Sequence, residues 1–365
     1  LKAALWASGA VIVVGAGTAA AVLAAQGGSG THEPAAAARP KPIPLVMVYL
    51  APAAGATSVN GAANVTVIYN RPLPADVPLP SLSPAVAGTW RRVGDTAVFT
   101  PAVGYPPRTR VRVTVALGDS STRSSTSSSF ITGSYSTLGL QVQLARLGYL
   151  PLTWTPAAGT AASARTAQVA LSEAYAPPAG TFRWKHGYPA VLRSFWSAGT
   201  ANTVDQGAIT AFEADHGMIT DGVAGSAVWK ALLAATVQGQ VNHHGYSYAI
   251  ASQRIPETLT IWHNGREVFS SYDNTGIAAR PTPIGTFPVY EKLTYQVMQG
   301  TNPDGSHYAD PVSWVSYFNG GSAVHYISRG SYGWPQSLGC VELPYTAAKD
   351  AYPYLPYGTL VTVTA

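Results

Sequence analysis

The chain has 365 residues, of which 11% are charged, with 36 Gly, 28 Pro and a formal net charge of +5. Its 22 basic residues are dispersed, with no run longer than Arg91-Arg92. That excludes a nucleic-acid stripe and suits loose attraction to an anionic envelope polymer. So little charge beside 20 Tyr and 9 Trp also excludes a disordered polyelectrolyte.

The first stretch sets the expected compartment. Ala3–Ala25 carries no charge and follows Lys2, and about 20 apolar residues span a bilayer as helix. Residues 1–26 therefore read as a transmembrane signal-anchor or a signal peptide, the length favouring an anchor. The positive flank stays inside, placing the remainder in the cell envelope, on the extracytoplasmic face of the plasma membrane or in the cell wall. Residues 27–42 are a Gly/Ser then Pro/Ala linker.

From 43 to 133 short β-rich runs alternate with turns: 65–69, 97–100 and 110–115. This spacing predicts a small β-sandwich. The Pro52…Gly55 turn, the Val65–Tyr69 strand before Asn-Arg-Pro, Phe99-Thr-Pro101 and the strand closing at Leu117 resemble a bacterial Ig-like domain. The Ser/Thr-rich run 119–129 reads as an edge loop or hinge.

From Ser134 the period becomes helical. Leu140, Leu144 and Leu147 share one stripe, which Gly148 ends. A second helix is expected over 206–216 with Asp205 as N-cap, and a third over 226–235. Gln141-x-x-Leu144-x-x-Leu147-Gly148-Tyr149, Gly207-Ala208-x-x-Ala211-Phe212 and Asp221-Gly222-Val223-x-Gly225-x-x-Val228-Trp229 resemble a three-helix peptidoglycan-binding module over 134–239. An insertion, 152–203, interrupts it. Its Phe182, Trp184, Tyr188 and Trp196 either pack or form an extra docking surface, with packing the favoured reading.

Residues 246–365 return to β patterning. Thr258–Trp262, Asn264-Gly265 and Glu267–Ser270 read as a hairpin, since Asn-Gly is the strong two-residue turn signal. Further strands are expected at 323–327 and 360–363, with one helix over 345–355. The fold class is therefore multidomain and mainly β.

The chain has one Cys, Cys340, so it has no disulfide partner within the chain. Gly339 before it permits a tight turn that aims successive N–H groups at one point, as an oxyanion hole requires. A nucleophilic thiol also needs a base or cation beside it. None of the eight His follows Cys340, which rules out the Cys-before-His order of papain-like peptidases. His325 precedes it in a β-branched, aromatic run, sharing a strand face with Ala323 and Ile327.

His325…Ser337-x-Gly339-Cys340-Val341, preceded by Thr282-Pro283-Ile284-Gly285-Thr286-Phe287, resembles the catalytic domain of the YkuD-like L,D-transpeptidases. The resemblance implies a Cys340 nucleophile, a His325 base, oxyanion donors around Gly339 and Cys340 with Ser337 in support, and the Tyr326 carbonyl orienting the imidazole. It implies transfer of stem-tetrapeptide acyl groups to give 3→3 peptidoglycan cross-links, or hydrolysis when water is the acceptor. Two departures stand out. Leu338 takes the place of a His, and Glu342 the place of an Arg or Asn. Tyr308, Ser331 and Trp334 are candidates for the pocket wall, with Tyr308 in a Gly/Asn/Pro-rich stretch (300–311) that either serves as a lid or simply packs. The expected partners are stem peptides, glycan strands and the membrane. No cofactor or metal is implied, and His243-His244, adjacent in a connector, make a poor metal face.

Overall fold

The computed structural model describes residues 43–118, 123–159 and 166–365. The N-terminal apolar stretch and its linker lie outside these residues. Among the described residues no helix is long and apolar enough to cross a membrane.

The N-terminal part contributes seven strands: β1 (Met47–Ala51), β2 (Val65–Tyr69), β3 (Ser81–Ser83), β4 (Gly88–Val93), β5 (Thr96–Pro101), β6 (Arg110–Leu117) and β7 (Ser124–Ile131). They form two sheets, ordered β1-β2-β5-β4 and β3-β6-β7. Alternation puts Val65, Val67 and Tyr69 of the first sheet and Val111, Val113 and Val115 of the second into one core. Each such side chain contributes about 1.5–3 kcal/mol on burial. The Ser/Thr-rich run, expected as an edge loop or hinge, is instead strand over Ser124–Ile131, paired with β6 from Leu117↔Ser124 to Arg110↔Ile131. As an edge strand it needs few apolar side chains, and serine hydroxyls serve its open face, as in the Thr114–Ser127 hydrogen bond of 3.0 Å.

The middle of the chain holds α1 (Thr137–Arg146), β8 (Leu152–Pro156), α2 (Ala167–Tyr175), β9 (Gly180–Trp184), α3 (Ala190–Arg193), α4 (Thr203–Asp215) and α5 (Ser226–Gln238). Ser136 caps α1 by accepting from the Gly139 N–H. The second long helix begins earlier than its periodicity predicts. Asn202, not Asp205, is its N-cap. Asp205 lies buried in the first turn because its carboxylate accepts from Gln141 Nε2 of α1 at 2.7 Å, a long-range partner that local sequence does not reveal. In the insertion, β8 and β9 pair as a hairpin. Its rings pack on one another, Trp154–Phe182 tilted at 4.9 Å and Phe182–Trp196 edge-on at 5.0 Å, against the helical core.

The C-terminal part holds β10 (Ser247–Ser252), β11 (Thr258–His263), β12 (Arg266–Tyr272), β13 (Gly285–Pro288), β14 (Glu291–Thr301), β15 (His307–Asn319), β16 (Ser322–Tyr326), β17 (Val341–Leu343), α6 (Tyr345–Ala351) and β18 (Leu360–Thr364). A five-stranded sheet, β12-β11-β10-β18-β13, faces a four-stranded one, β14-β15-β16-β17. Ala249, Leu259, Ile261, Val361 and Val363 of the first meet Phe318, Val324, Val341 and Leu343 of the second, and α6 adds Ala348 and Ala351. Asn264 and Gly265, at φ 48° and 77°, make the β11–β12 turn, which suits the two-residue turn chemistry. The helical core runs on into this part through Tyr246, Tyr248 and Leu360.

Candidate active site

The four-stranded sheet carries the candidate reactive residues. β16 and β17 are parallel neighbours, with Val324 opposite Val341, His325 opposite Glu342 and Tyr326 opposite Leu343. Cys340 immediately precedes β17, so the end of the 327–340 loop returns it beside His325. On the other flank, β15 bulges opposite His325. Ser313 pairs with Tyr326 and Ser316 with Val324, leaving Trp314 and Val315 across from one residue. Trp314 has φ 59°, an uncommon value for a bulky residue. Bulges of this kind re-aim side chains next to functional sites.

His325 is 2% exposed. Its Nδ1 lies 3.1 Å from the Tyr326 carbonyl oxygen. A carbonyl only accepts, so Nδ1 carries a proton and Nε2 is the nitrogen left for the thiol. Burial disfavours the imidazolium. The Cys340 charge, a hydrogen bond with Cys340, the Tyr326 carbonyl and the Glu342 charge together outweigh burial and raise the pKa. The Cys340 Sγ also lies 3.7 Å from the Gly321 carbonyl oxygen.

The Cys340 carbonyl is pinned from two sides. Ser337 Oγ donates to it at 2.7 Å and Thr282 Oγ1 at 3.1 Å. Thr282 Oγ1 in turn accepts from the Gly276 N–H at 2.8 Å. Gly339 has φ +118°, a conformation that L side chains rarely adopt. The expected donor role of Gly339 needs correction. Its N–H is spent on Ser337 Oγ at 3.1 Å, because the same hydroxyl that holds the Cys340 carbonyl faces that amide. Among the described residues nothing accepts from the N–H of Cys340.

A cavity of about 600 Å³ opens over this pair, lined by His325, Cys340, Leu338, Tyr308, Tyr317 and Arg329 among others. Tyr308 thus reaches the wall, but the lid expected over 300–311 is mostly strand. β14 and β15 pair through Thr301↔His307, and a short turn joins them. Ser331 and Trp334 do not line the cavity. The Ser331 carbonyl accepts from Gln336 Nε2 at 3.0 Å, and Trp334 stands 51% exposed outside the cavity. The Tyr326 ring packs edge-on against Tyr345 at 5.1 Å, leaving its carbonyl for His325. Thr282, Tyr317 and Arg329 escaped the sequence reading as site residues. Only Thr282, first in a motif block, left a local signal.

Glu342 is 3% exposed. It accepts two hydrogen bonds from Arg329, from Nε at 2.8 Å and Nη2 at 2.6 Å. Arg329 is the one Lys or Arg among the lining residues, which also include Asp304 and Asp310.

The profile of the L,D-transpeptidase catalytic domain (YkuD) matches residues 247–363. This segment belongs to that family. The match ends within the last strand and contains both sheets of the C-terminal part, His325, Cys340 and the Thr282 block. Among solved structures, an L,D-transpeptidase from Mycobacterium smegmatis is 17% identical, covering 88% of this chain and 100% of its own, at a TM-score of 0.31. L,D-transpeptidase 3 from Mycobacterium tuberculosis, in complex with a faropenem-derived adduct, is 15% identical, covering 87% and 98%, at 0.31. The catalytic domain of the E. faecium L,D-transpeptidase is 25% identical, covering 33% of this chain and 99% of that one, at 0.30. No curated protein matches the chain.

Proposed function

We propose that the chain is a peptidoglycan L,D-transpeptidase acting in the cell envelope, with Cys340 as nucleophile and His325 as acid and base. The supporting observation is the buried imidazole held through Nδ1 by the Tyr326 carbonyl, one strand away from the Cys340 thiol at the floor of a shared cavity.

The thiolate attacks the carbonyl carbon ahead of the terminal D-residue of a stem tetrapeptide. The oxyanion is met by the N–H of Cys340. Collapse of the intermediate breaks the C–N bond, and the leaving amine takes the proton of His325. The acceptor amine then attacks the thioester, His325 takes its proton, and the thiolate departs. A diamino-acid side chain as acceptor yields a 3→3 cross-link. Water yields a shortened stem peptide. The β-rich segment 43–133 and the helical segment 134–239 serve, in this reading, as an Ig-like spacer and a glycan-docking module. Holding catalytic site and polymer together raises their effective concentration.

Intact mass after exposure to a carbapenem tests the nucleophile. The expected result is one covalent adduct on the folded chain, absent in Cys340→Ala. A folded wild-type chain that forms no adduct, or an adduct that persists in the variant, sinks the reading.

A further inference from the structure

We propose that Arg329 anchors the terminal carboxylate of the donor peptide and that Glu342 positions Arg329 to do so. This rests on the transpeptidase reading above, and it assigns a specificity-determining role within that site.

Electrostatics restricts where an anion fits in this cavity. Its lining holds three carboxylates, Asp304, Asp310 and Glu342, against a single permanent cation, Arg329. A donor carboxylate meets repulsion at Asp304 and Asp310 and attraction at one guanidinium. The same acidic wall suits the ammonium of an acceptor. The two ends of the transfer are thereby steered to different parts of one cavity.

The guanidinium is built for the task rather than left to solvent. Arg329 spends Nε and Nη2 on the two oxygens of a carboxylate whose side chain is only 4% exposed. That fork fixes the plane of the group. Nη1 takes no partner among the described residues, and the Arg329 side chain remains 31% exposed. Glu342 sits opposite His325 on the neighbouring strand, two positions after Cys340. The anchor is thus tied to the strand that carries the nucleophile. A carboxylate one residue beyond the scissile carbonyl needs such a fixed cation close to the thiol, because a near-attack geometry tolerates little misplacement.

Binding to the acylation-incompetent Cys340→Ala chain tests the idea directly. The ligands are a stem tetrapeptide ending in a free carboxylate and the same peptide ending in a carboxamide, with titration calorimetry as readout. The expected result is about 10- to 100-fold tighter binding of the free acid, the scale of one charge-assisted hydrogen bond. That preference should vanish on adding Arg329→Gln, and also in the Arg329→Gln/Glu342→Gln combination, which leaves no buried unpaired carboxylate. Arg329→Lys should retain part of it. Equal affinity for acid and amide, no binding of either, or a preference surviving both Gln variants overturns the assignment. The reading beneath it fails differently, as a wild-type chain that binds the free acid but forms no acyl-enzyme with it.

Discussion

Thr282 Oγ1 donates a 3.1 Å hydrogen bond to the Cys340 carbonyl oxygen from 58 positions away in the chain. With Ser337 Oγ on the same oxygen, it fixes the peptide unit that follows Cys340. The thiol loop therefore leans on a distant loop as well as on its own residues.

Removing those hydroxyls tests that support. Thr282→Val and Ser337→Ala should each cost about 1 kcal/mol of stability, the net worth of an ordinary hydrogen bond. Carbapenem acylation should fall by more than stability alone explains, on the order of 10-fold or more, because misplaced reacting atoms are penalised steeply. Each change also strips a backbone N–H of its acceptor, Gly276 in the Thr282 variant and Gly339 in the Ser337 variant. Thermal melts paired with single-turnover acylation rates check both.

Gly339→Ala addresses the backbone. An added Cβ finds room, with Ser322 Oγ 3.7 Å away as its nearest neighbour, so the penalty is conformational rather than steric with surroundings. At φ +118° the strain is about 1–3 kcal/mol. Relaxation of that strain would swing the Cys340 N–H and Sγ together. The variant should melt slightly lower and acylate far more slowly. A near wild-type acylation rate would show that the loop does not depend on this dihedral angle.

The pH profile should respond to Glu342 and Arg329 with opposite signs. The Glu342 charge is among the groups that hold His325 up. Glu342→Gln removes it and frees the positive Arg329, so the imidazolium loses its proton at lower pH. The limb of the acylation profile set by His325 should move down. Arg329→Gln leaves Glu342 unneutralised, so the same limb should move up. Rates of acylation measured from pH 5 to 10 (about five units, spanning the usual His range) decide it. Shifts of the same sign in both variants would contradict this assignment.

A stability prediction falls on Asp273, buried next to Glu257 with neither carboxylate oxygen partnered among the described residues. Burial first, then the Glu257 charge, push its pKa well above the usual carboxylate range. The folded state thus keeps a proton that the unfolded chain releases. Stability falls as pH rises from the unfolded value of about 4 through the folded one. Asp273→Asn cannot ionise and should be flatter over that window. At pH 8 it should exceed wild type by at least about 1 kcal/mol, within the range for an unsatisfied buried polar group. Denaturant melts at pH 4 and pH 8 measure the difference. An Asn variant weaker than wild type at pH 8 would count against this account.

Local pattern carried the sequence a long way. The Val65–Tyr69 strand, the Asn264-Gly265 turn and the helix stopped by Gly148 each follow from side-chain period and backbone freedom within a few residues. A lone Cys behind a Gly marked a candidate nucleophile, and the resemblance to a known catalytic domain implied His325 as its base. Tertiary structure decided what depends on residues distant in the chain or on competition for one atom. Asn202 rather than Asp205 caps α4 because Gln141 claims the aspartate. The Gly339 amide is lost to Ser337 because one hydroxyl serves both partners. Arg329 and Glu342, thirteen positions apart, meet because Arg329 lies in the loop just beyond β16, which runs parallel to the strand carrying Glu342. Sequence set which groups could react, since reactivity belongs to residue types. Only the fold determined which donors remained free, since each hydrogen-bonding atom goes to whichever partner the packing brings within about 3 Å.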